Sequence, residues 1–154
     1  MGRNFVIFSS LDWSENHWQM HQELTTSLLK DGNKILFIEN TGVRNIRLSD
    51  FKRFFLRIVK WYKSIRGFSS LDDNLTIYSP ILFPFPYSKF FNKINIFILK
   101  RSIKKWANYS QFFGFTFITF LPTPLCHVFI DQFKPIVSVY YCANNMSEGS
   151  ENAR

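Results

Sequence analysis

Asn4-Phe5-Val6-Ile7-Phe8-Ser9-Ser10 and Lys34-Ile35-Leu36-Phe37-Ile38-Glu39-Asn40 bracket the stretch that decides the fold. Each is a short apolar run rich in β-formers that ends in polar residues, the pattern of a buried strand. Between them, residues 17–30 carry apolar side chains at helical spacing, with Trp18, Leu24 and Leu28 or Leu29 near one face. Asp31-Gly32 stops that helix, because glycine accepts the left-handed conformation a helix C-terminus often needs. Strand, helix and strand of these lengths predict a parallel βαβ unit. Ligands of open α/β sheets bind at the carboxyl edge of the strands. Residues 11–16, the first loop on that edge, are therefore the expected functional edge.

Working outward, Thr41-Gly42-Val43-Arg44 forms a second carboxyl-edge loop. Ser49 and Asp50 suit the start of a helix, and Phe51, Phe54, Phe55, Ile58, Trp61, Tyr62 and Ile65 form an i, i+3, i+4, i+7 stripe that Gly67 closes. Leu71-Asp72-Asp73-Asn74 reads as a turn cluster and Leu75-Thr76-Ile77-Tyr78 as a third strand. Pro80, Pro84 and Pro86 then demand an extended segment. Ser88 can cap a helix that runs to about Tyr109, and residues 115–121 read as a fourth strand. Thr123-Pro124 opens a short helix that ends before Pro135 and includes His127, read as structural; residues 136–142 form a fifth strand. The predicted class is α/β: a parallel, Rossmann-like sheet of about five strands with helices on both faces.

Composition narrows the setting. A chain of 154 residues with 46% hydrophobic and 19% charged residues can bury a core, which excludes general disorder. Cys126 and Cys142 form no spaced framework, so reduced thiols in a cytoplasmic protein are expected. Residues 1–3 lead straight into the first strand, leaving no room for a secretory signal. Residues 111–130 hold no charged side chain, yet Pro122 and Pro124 divide them, and a strand followed by a helix accounts for them better than a membrane span.

The net charge of +8 is concentrated in two segments: residues 44–66 hold eight basic residues against Asp50, and residues 89–105 hold six with no acid. Both read as helices. Lys52, Arg53, Arg57, Lys60, Lys100, Arg101, Lys104 and Lys105 are accordingly expected to face an anionic membrane, with the protein peripheral on its inner, cytoplasmic face. The basic helices lack any nucleic-acid-binding motif, so no nucleic-acid partner is expected.

The first loop, Ser9-Ser10-Leu11-Asp12-Trp13-Ser14-Glu15-Asn16, contains no glycine. A dinucleotide fingerprint and a P-loop both need glycine for close backbone approach to phosphate, which excludes either here. What the loop offers is Asp12, Trp13, Asn16 and His17, with Gln19 and His21 one turn on. An indole face beside carboxylate and amide groups suits a sugar, whose ring has an apolar face and polar edges. His17 is the candidate base, since imidazole titrates near neutral pH, and Asp12 is the second catalytic candidate. Trp13, Asn16, Gln19, Thr41, Gly42, Asn144 and Asn145 are the substrate-binding candidates on neighbouring carboxyl-edge loops. For any one of these the competing reading is structural: Asp12, Ser14 or Asn16 caps the helix and Trp13 packs on the rim. His/Cys spacing forms no metal site.

The first strand, the tryptophan-containing loop, Gln19-Met20-His21-Gln22-Glu23-Leu24, Asp31-Gly32-Asn33-Lys34-Ile35-Leu36-Phe37-Ile38-Glu39 and the closing Tyr140-Tyr141-Cys142-Ala143-Asn144-Asn145 together resemble the N-terminal half of a two-domain GT-B glycosyltransferase. The likeness is to the group called family 1 or family 4-like, of bacterial surface-polysaccharide synthesis. It implies that residues 1–154 form an acceptor-side domain for a glycan or lipid-linked acceptor. It also implies a C-terminal half that binds the nucleotide-sugar donor, without which this domain is inactive, and no cofactor in this half. Relatives commonly read Tyr-Asp-Cys-Val-Asp-Asp at the last strand, where this chain has Tyr141, Asn144 and Asn145; amides there can hydrogen-bond an acceptor but cannot act as bases. The competing expectation is a flavodoxin-like, non-catalytic module that recruits a membrane or protein partner through its basic helices.

Overall fold

The computed structural model describes residues 2–14, 19–39, 41, 67–83, 85, 87–120 and 123–142. They form an α/β domain: β1 (Asn4–Phe8), α1 (Met20–Lys30), β2 (Lys34–Ile38), β3 (Phe68–Asp72), β4 (Leu75–Tyr78), α2 (Lys89–Tyr109), β5 (Phe115–Thr119), α3 (Pro124–Phe133) and β6 (Val137–Tyr140). One six-stranded sheet runs in the order β3-β4-β2-β1-β5-β6. Every pairing is parallel except β3 with β4. The expected βαβ unit is present, with Asn4 to Phe8 in register against Lys34 to Ile38.

Alternation along the central strands sends side chains into two cores, one per face. Val6, Phe8, Leu36, Ile38, Tyr78 and Phe117 join Ile96, Leu99 and Ile103 of α2 and Leu125 and Phe129 of α3. On the opposite face Ile7, Ile35, Phe37, Ile77 and Ile118 pack with Leu24, Leu28 and Leu29 of α1. Helices thus cover both faces, which is why β1 and β2 read as continuous apolar runs rather than alternating ones.

The helix ends follow local chemistry. Ser88 accepts a hydrogen bond from the Phe91 N–H and caps α2, while Pro124 occupies the first turn of α3 behind Thr123. The Thr123 hydroxyl lies 3.3 Å from Cys126 Sγ rather than capping the helix. At the end of α1 the Gly32 N–H reaches the Leu29 carbonyl at 2.9 Å and the Asn33 N–H reaches that of Leu28 at 3.3 Å. Those two bonds make a Schellman motif, with Gly32 at φ +75° in the left-handed position.

Three sequence expectations are corrected. The sheet has six strands, because Phe68–Asp72 pairs antiparallel with β4 and takes up Leu71 and Asp72, leaving only Asp73 and Asn74 to turn. Helix α1 begins at Met20 and not at residue 17, because the Gln19 backbone is extended (φ −120°, ψ 172°) and serves as the N-cap. Finally, the five parallel strands taken in chain order lie 3-2-1-4-5, which is not the flavodoxin-like order of 2-1-3-4-5. The helix expected over residues 51–66 lies outside the described residues. Among the described residues no helix is long and apolar enough to cross a membrane.

Gly32 carries the first prediction. Nothing lies within 4 Å of a Cβ built there, so Gly32→Ala adds backbone strain without a clash. Urea unfolding of that variant is expected to show a loss of about 1 kcal/mol with an unchanged denaturant slope. A variant as stable as the parent would show that the left-handed cap is not what ends α1.

Candidate functional site at the carboxyl edge

Parallel strands β1, β2, β4, β5 and β6 all end on one edge of the sheet. After β1 the chain continues to β2 and β4 on one side, then returns to β5 and β6 on the other. The neighbouring ends of β1 and β5 are therefore a topological switch point, the place at which open α/β sheets bind their ligands.

The loops on this edge are tied to one another by polar groups. The Ser9 N–H continues the ladder to the Ile38 carbonyl, and the Ser9 carbonyl accepts both the N–H and the hydroxyl of Thr41, at 2.9 and 3.0 Å. Ser9 Oγ accepts from the Leu11 N–H, which closes the first turn of the loop. Glu39 follows β2 directly and is 3% exposed. One of its carboxylate oxygens accepts the Trp13 backbone N–H at 2.6 Å, and the other accepts the Ser79 hydroxyl in a short bond. Its own N–H reaches the Tyr78 carbonyl at 2.9 Å. A single buried carboxylate thereby joins the loops after β1, β2 and β4.

Of the residues selected from sequence, Asp12, Trp13 and Thr41 come together here. Asp12 and Trp13 are half-buried and Thr41 is buried. The Trp13 ring stands edge-on to Phe37, centroids 5.1 Å apart, on the rim of the α1-side core. It therefore packs, and also borders the loop. Gln19 heads α1 and is exposed; its N–H donates to Gln22 Oε1 at 3.0 Å. Asn16, His17, Gly42, Asn144 and Asn145 lie outside the described residues, as do Lys52, Arg53, Arg57 and Lys60. Lys100, Arg101, Lys104 and Lys105 lie along α2, away from this cluster. His127 is on α3 and exposed, as a structural reading allows.

Sequence reasoning gave no role to Glu39 or Ser79, and none of its own to His21. The signal for Glu39 was available: a carboxylate directly after an unbroken apolar strand stays next to the core. His21 stands edge-on to Phe120 with centroids 4.1 Å apart, and Phe120 in turn lies 5.4 Å from Tyr141. This line of rings joins α1 to the ends of β5 and β6 across the switch point. His21 Nδ1 and Gln22 Nε2 are buried and make no hydrogen bond among the described residues. Burial holds the His21 imidazole below its ordinary pKa, so it is neutral at pH 7.

Among the described residues the chemistry available is that of a polar recognition edge on a tied frame. No group of three or more His, Cys, Asp or Glu side chains among the described residues is placed to hold a metal ion. Cys126 is buried against Thr119 and Thr123, at 3.4 and 3.3 Å from their hydroxyls. An apolar groove of about 380 Å³ opens at the opposite end of the sheet, between the C-termini of α2 and α3, and includes Ala107, Phe113, Gly114 and Phe133. Lys104 and Asn108 also line it, and it lies at the other end of the strands from the polar edge.

Comparison with protein-family models, with curated proteins and with solved structures gives no match to this chain.

Two predictions follow the geometry of this edge. Glu39→Ala leaves the Trp13 N–H and Ser79 hydroxyl without their buried acceptor, and is expected to cost about 3 kcal/mol in chemical denaturation. Unchanged stability would remove Glu39 as the tie between the loops. For His21, the unfolded chain takes up a proton as the pH falls through 6.5, while the buried native imidazole resists protonation. The contribution of a neutral His21 is therefore complete above that pH, and is lost as the pH drops from 6.5 towards the lower native pKa. His21→Gln should flatten the stability profile in that window, as read from melting temperature against pH. An equally steep profile in the variant would assign the acid sensitivity to other groups.

Proposed function

We propose that this chain is the acceptor-side domain of a glycosyltransferase of the GT-B type, acting on a glycan or lipid-linked acceptor. The observation that carries the reading is the switch point between β1 and β5, with Asp12, Trp13 and Thr41 on its carboxyl edge, Trp13 tied by its N–H to the buried Glu39 and Thr41 to the Ser9 carbonyl. Such an edge accepts ligands that need several converging hydrogen bonds and one apolar wall. A sugar ring has those properties. The loop after β1 has no glycine with which to wrap a pyrophosphate, which favours an acceptor over a nucleotide at this edge.

In this reading Trp13 supplies the apolar wall, while Asp12, Asn16 and Gln19 bind hydroxyls. His17 takes the proton from the attacking acceptor hydroxyl. Thr41, Gly42, Asn144 and Asn145 complete the edge from neighbouring loops. The nucleotide-sugar donor binds a second domain, and chemistry takes place between the two.

Saturation-transfer NMR on the folded 154-residue chain, against glycans carrying a soluble prenyl phosphate, tests the binding role directly. At least one glycan is expected to receive saturation. Asp12→Ala should abolish it, and Trp13→Phe should weaken it while keeping the packing on Phe37. The chain alone should transfer no sugar from any nucleotide sugar. In a protein that also carries the donor-binding half, His17→Ala is expected to lower turnover by about 10²–10⁴-fold, the usual worth of general-base assistance. Absence of saturation from every glycan, or transfer by this chain alone, would overturn the reading.

A further inference from the structure

Helix α2 has two faces of opposite purpose. Its inner face, with Asn92, Asn95, Ile96, Leu99 and Ile103 buried, packs on the sheet. On an ordinary surface helix the outer face is polar. Here it carries Phe90 and Phe97, which are 67% and 63% exposed. Seven residues apart, they lie two turns along one stripe, about 10 Å from each other. Around Phe97 at helical spacing stand Lys93, Lys100, Arg101 and Lys104, the last three lining a shallow depression with it. No acidic residue occurs between Asp73 and Asp131, so this field is not neutralised from within its own segment.

The aromatic surface continues into the segment before the helix. Phe85 and Tyr87 are also exposed, the latter 85%. Phe91 gathers its neighbours, with ring centroids 4.6 Å from Phe85, 5.3 Å from Phe83 and 5.5 Å from Phe90. Buried Asn95 fixes this group in place. Its Oδ1 accepts the Phe83 N–H at 2.8 Å and its Nδ2 donates to the Phe83 carbonyl at 3.0 Å. A buried amide used this way holds the exposed aromatics in a defined position, which distinguishes a built surface from stray exposed side chains.

We infer that this surface, Phe85, Tyr87, Phe90 and Phe97 within the basic field of α2, docks onto an anionic lipid bilayer. Charge complementarity selects the partner: the outer face of α2 carries Lys93, Lys100, Arg101 and Lys104 and no acid of its own, and aromatic rings set among lysines and arginines suit the headgroup layer, where rings enter the interface and ammonium and guanidinium groups meet lipid phosphates. The sequence expectation rested on charge alone and did not separate Phe90 and Phe97 from the core positions of the same helix. Exposure of those two rings is the new observation. The inference does not depend on the glycosyltransferase reading, since it concerns a different face and a different ligand.

Flotation with vesicles of phosphatidylcholine alone and of phosphatidylcholine with phosphatidylglycerol tests it. Binding is expected only to the anionic vesicles, and should fall as salt rises. The double variant Phe90→Ser, Phe97→Ser should bind at least about tenfold more weakly, as should Lys100→Gln, Arg101→Gln, Lys104→Gln. The Phe pair is exposed, so the melting temperature should hold, which separates lost docking from lost folding. The emission of a Phe97→Trp variant should shift to the blue on anionic vesicles. Equal binding to both vesicle types, no effect of the Phe pair, or an unshifted emission from the Phe97→Trp variant would overturn the inference. So would tighter binding of single-stranded RNA than of vesicles, or a dimer in sedimentation that the Phe pair disrupts, since either assigns the surface to another partner.

Discussion

A buried carboxylate is the constraint on which the functional edge depends. Taking an ionised group out of water is costly unless hydrogen bonds replace its hydration. Glu39 receives the Trp13 amide and the Ser79 hydroxyl, and its own amide extends the β2–β4 ladder. Because the two donors and the carboxylate itself sit on three different loops, satisfying one buried acidic side chain ties all three together. The loop after β1 is thereby held in shape without the glycines that other βα loops use to wrap a ligand. Ser9 adds a second tie to the Thr41 segment through its carbonyl. The edge is therefore rigid at its base, and its specificity lies with the side chains that rise from it.

Much of the fold was legible because the deciding elements are local. The apolar runs at β1 and β2, the Gly32 stop, the Ser88 cap and the proline in the first turn of α3 each combine a pattern with a chemical reason, and each recurs in the structure; the Thr123 hydroxyl, by contrast, makes no cap. Strand β3 was not legible for the opposite reason. Phe68-Ser69-Ser70-Leu71-Asp72 is polar and largely exposed, with a register shift between Ser70 and Asp72. Its strand character comes only from pairing with β4, a partner that no local pattern announces. Phe68 alone shows its attachment, stacking on Tyr78 with centroids 4.0 Å apart.

Apolar sequence also proved an unreliable guide to burial at two places, with different physical causes. Strand β6 reads from its sequence as a strand and is one, yet its apolar side chains Val137, Val139 and Tyr140 are 50%, 40% and 46% exposed. Among the described residues it is the last strand of the sheet and pairs with β5. In α2 the cause is geometric. Residues 94–99 are almost wholly apolar, so the run alone assigns all of them to the core, whereas helical rotation sends Ile96 and Leu99 inward and Phe97 outward. At the candidate site the position was legible and the frame was not. Parallel topology placed Asp12, Trp13 and Thr41 on one edge, but the burial of Glu39 depends on Ser79, forty residues away.

The two surfaces are linked by chain direction. Helix α2 follows β4, so its N-terminus lies on the carboxyl side of the sheet, reached from Ser79 through the segment that carries Phe83 and Phe85. The exposed aromatics at the start of α2 therefore belong to the same end of the molecule as the Glu39 cluster, while Lys104 and the apolar groove lie towards the other end. A bilayer seated along the outer face of α2, from Phe85, Tyr87 and Phe90 to Lys104, would bring its headgroups alongside the carboxyl edge at the N-terminal end of that helix. An acceptor anchored in that bilayer would then need only to extend along the surface to reach Asp12 and Trp13. Anchoring also replaces a search in three dimensions by one in two, so weak contacts at the edge suffice for productive encounters.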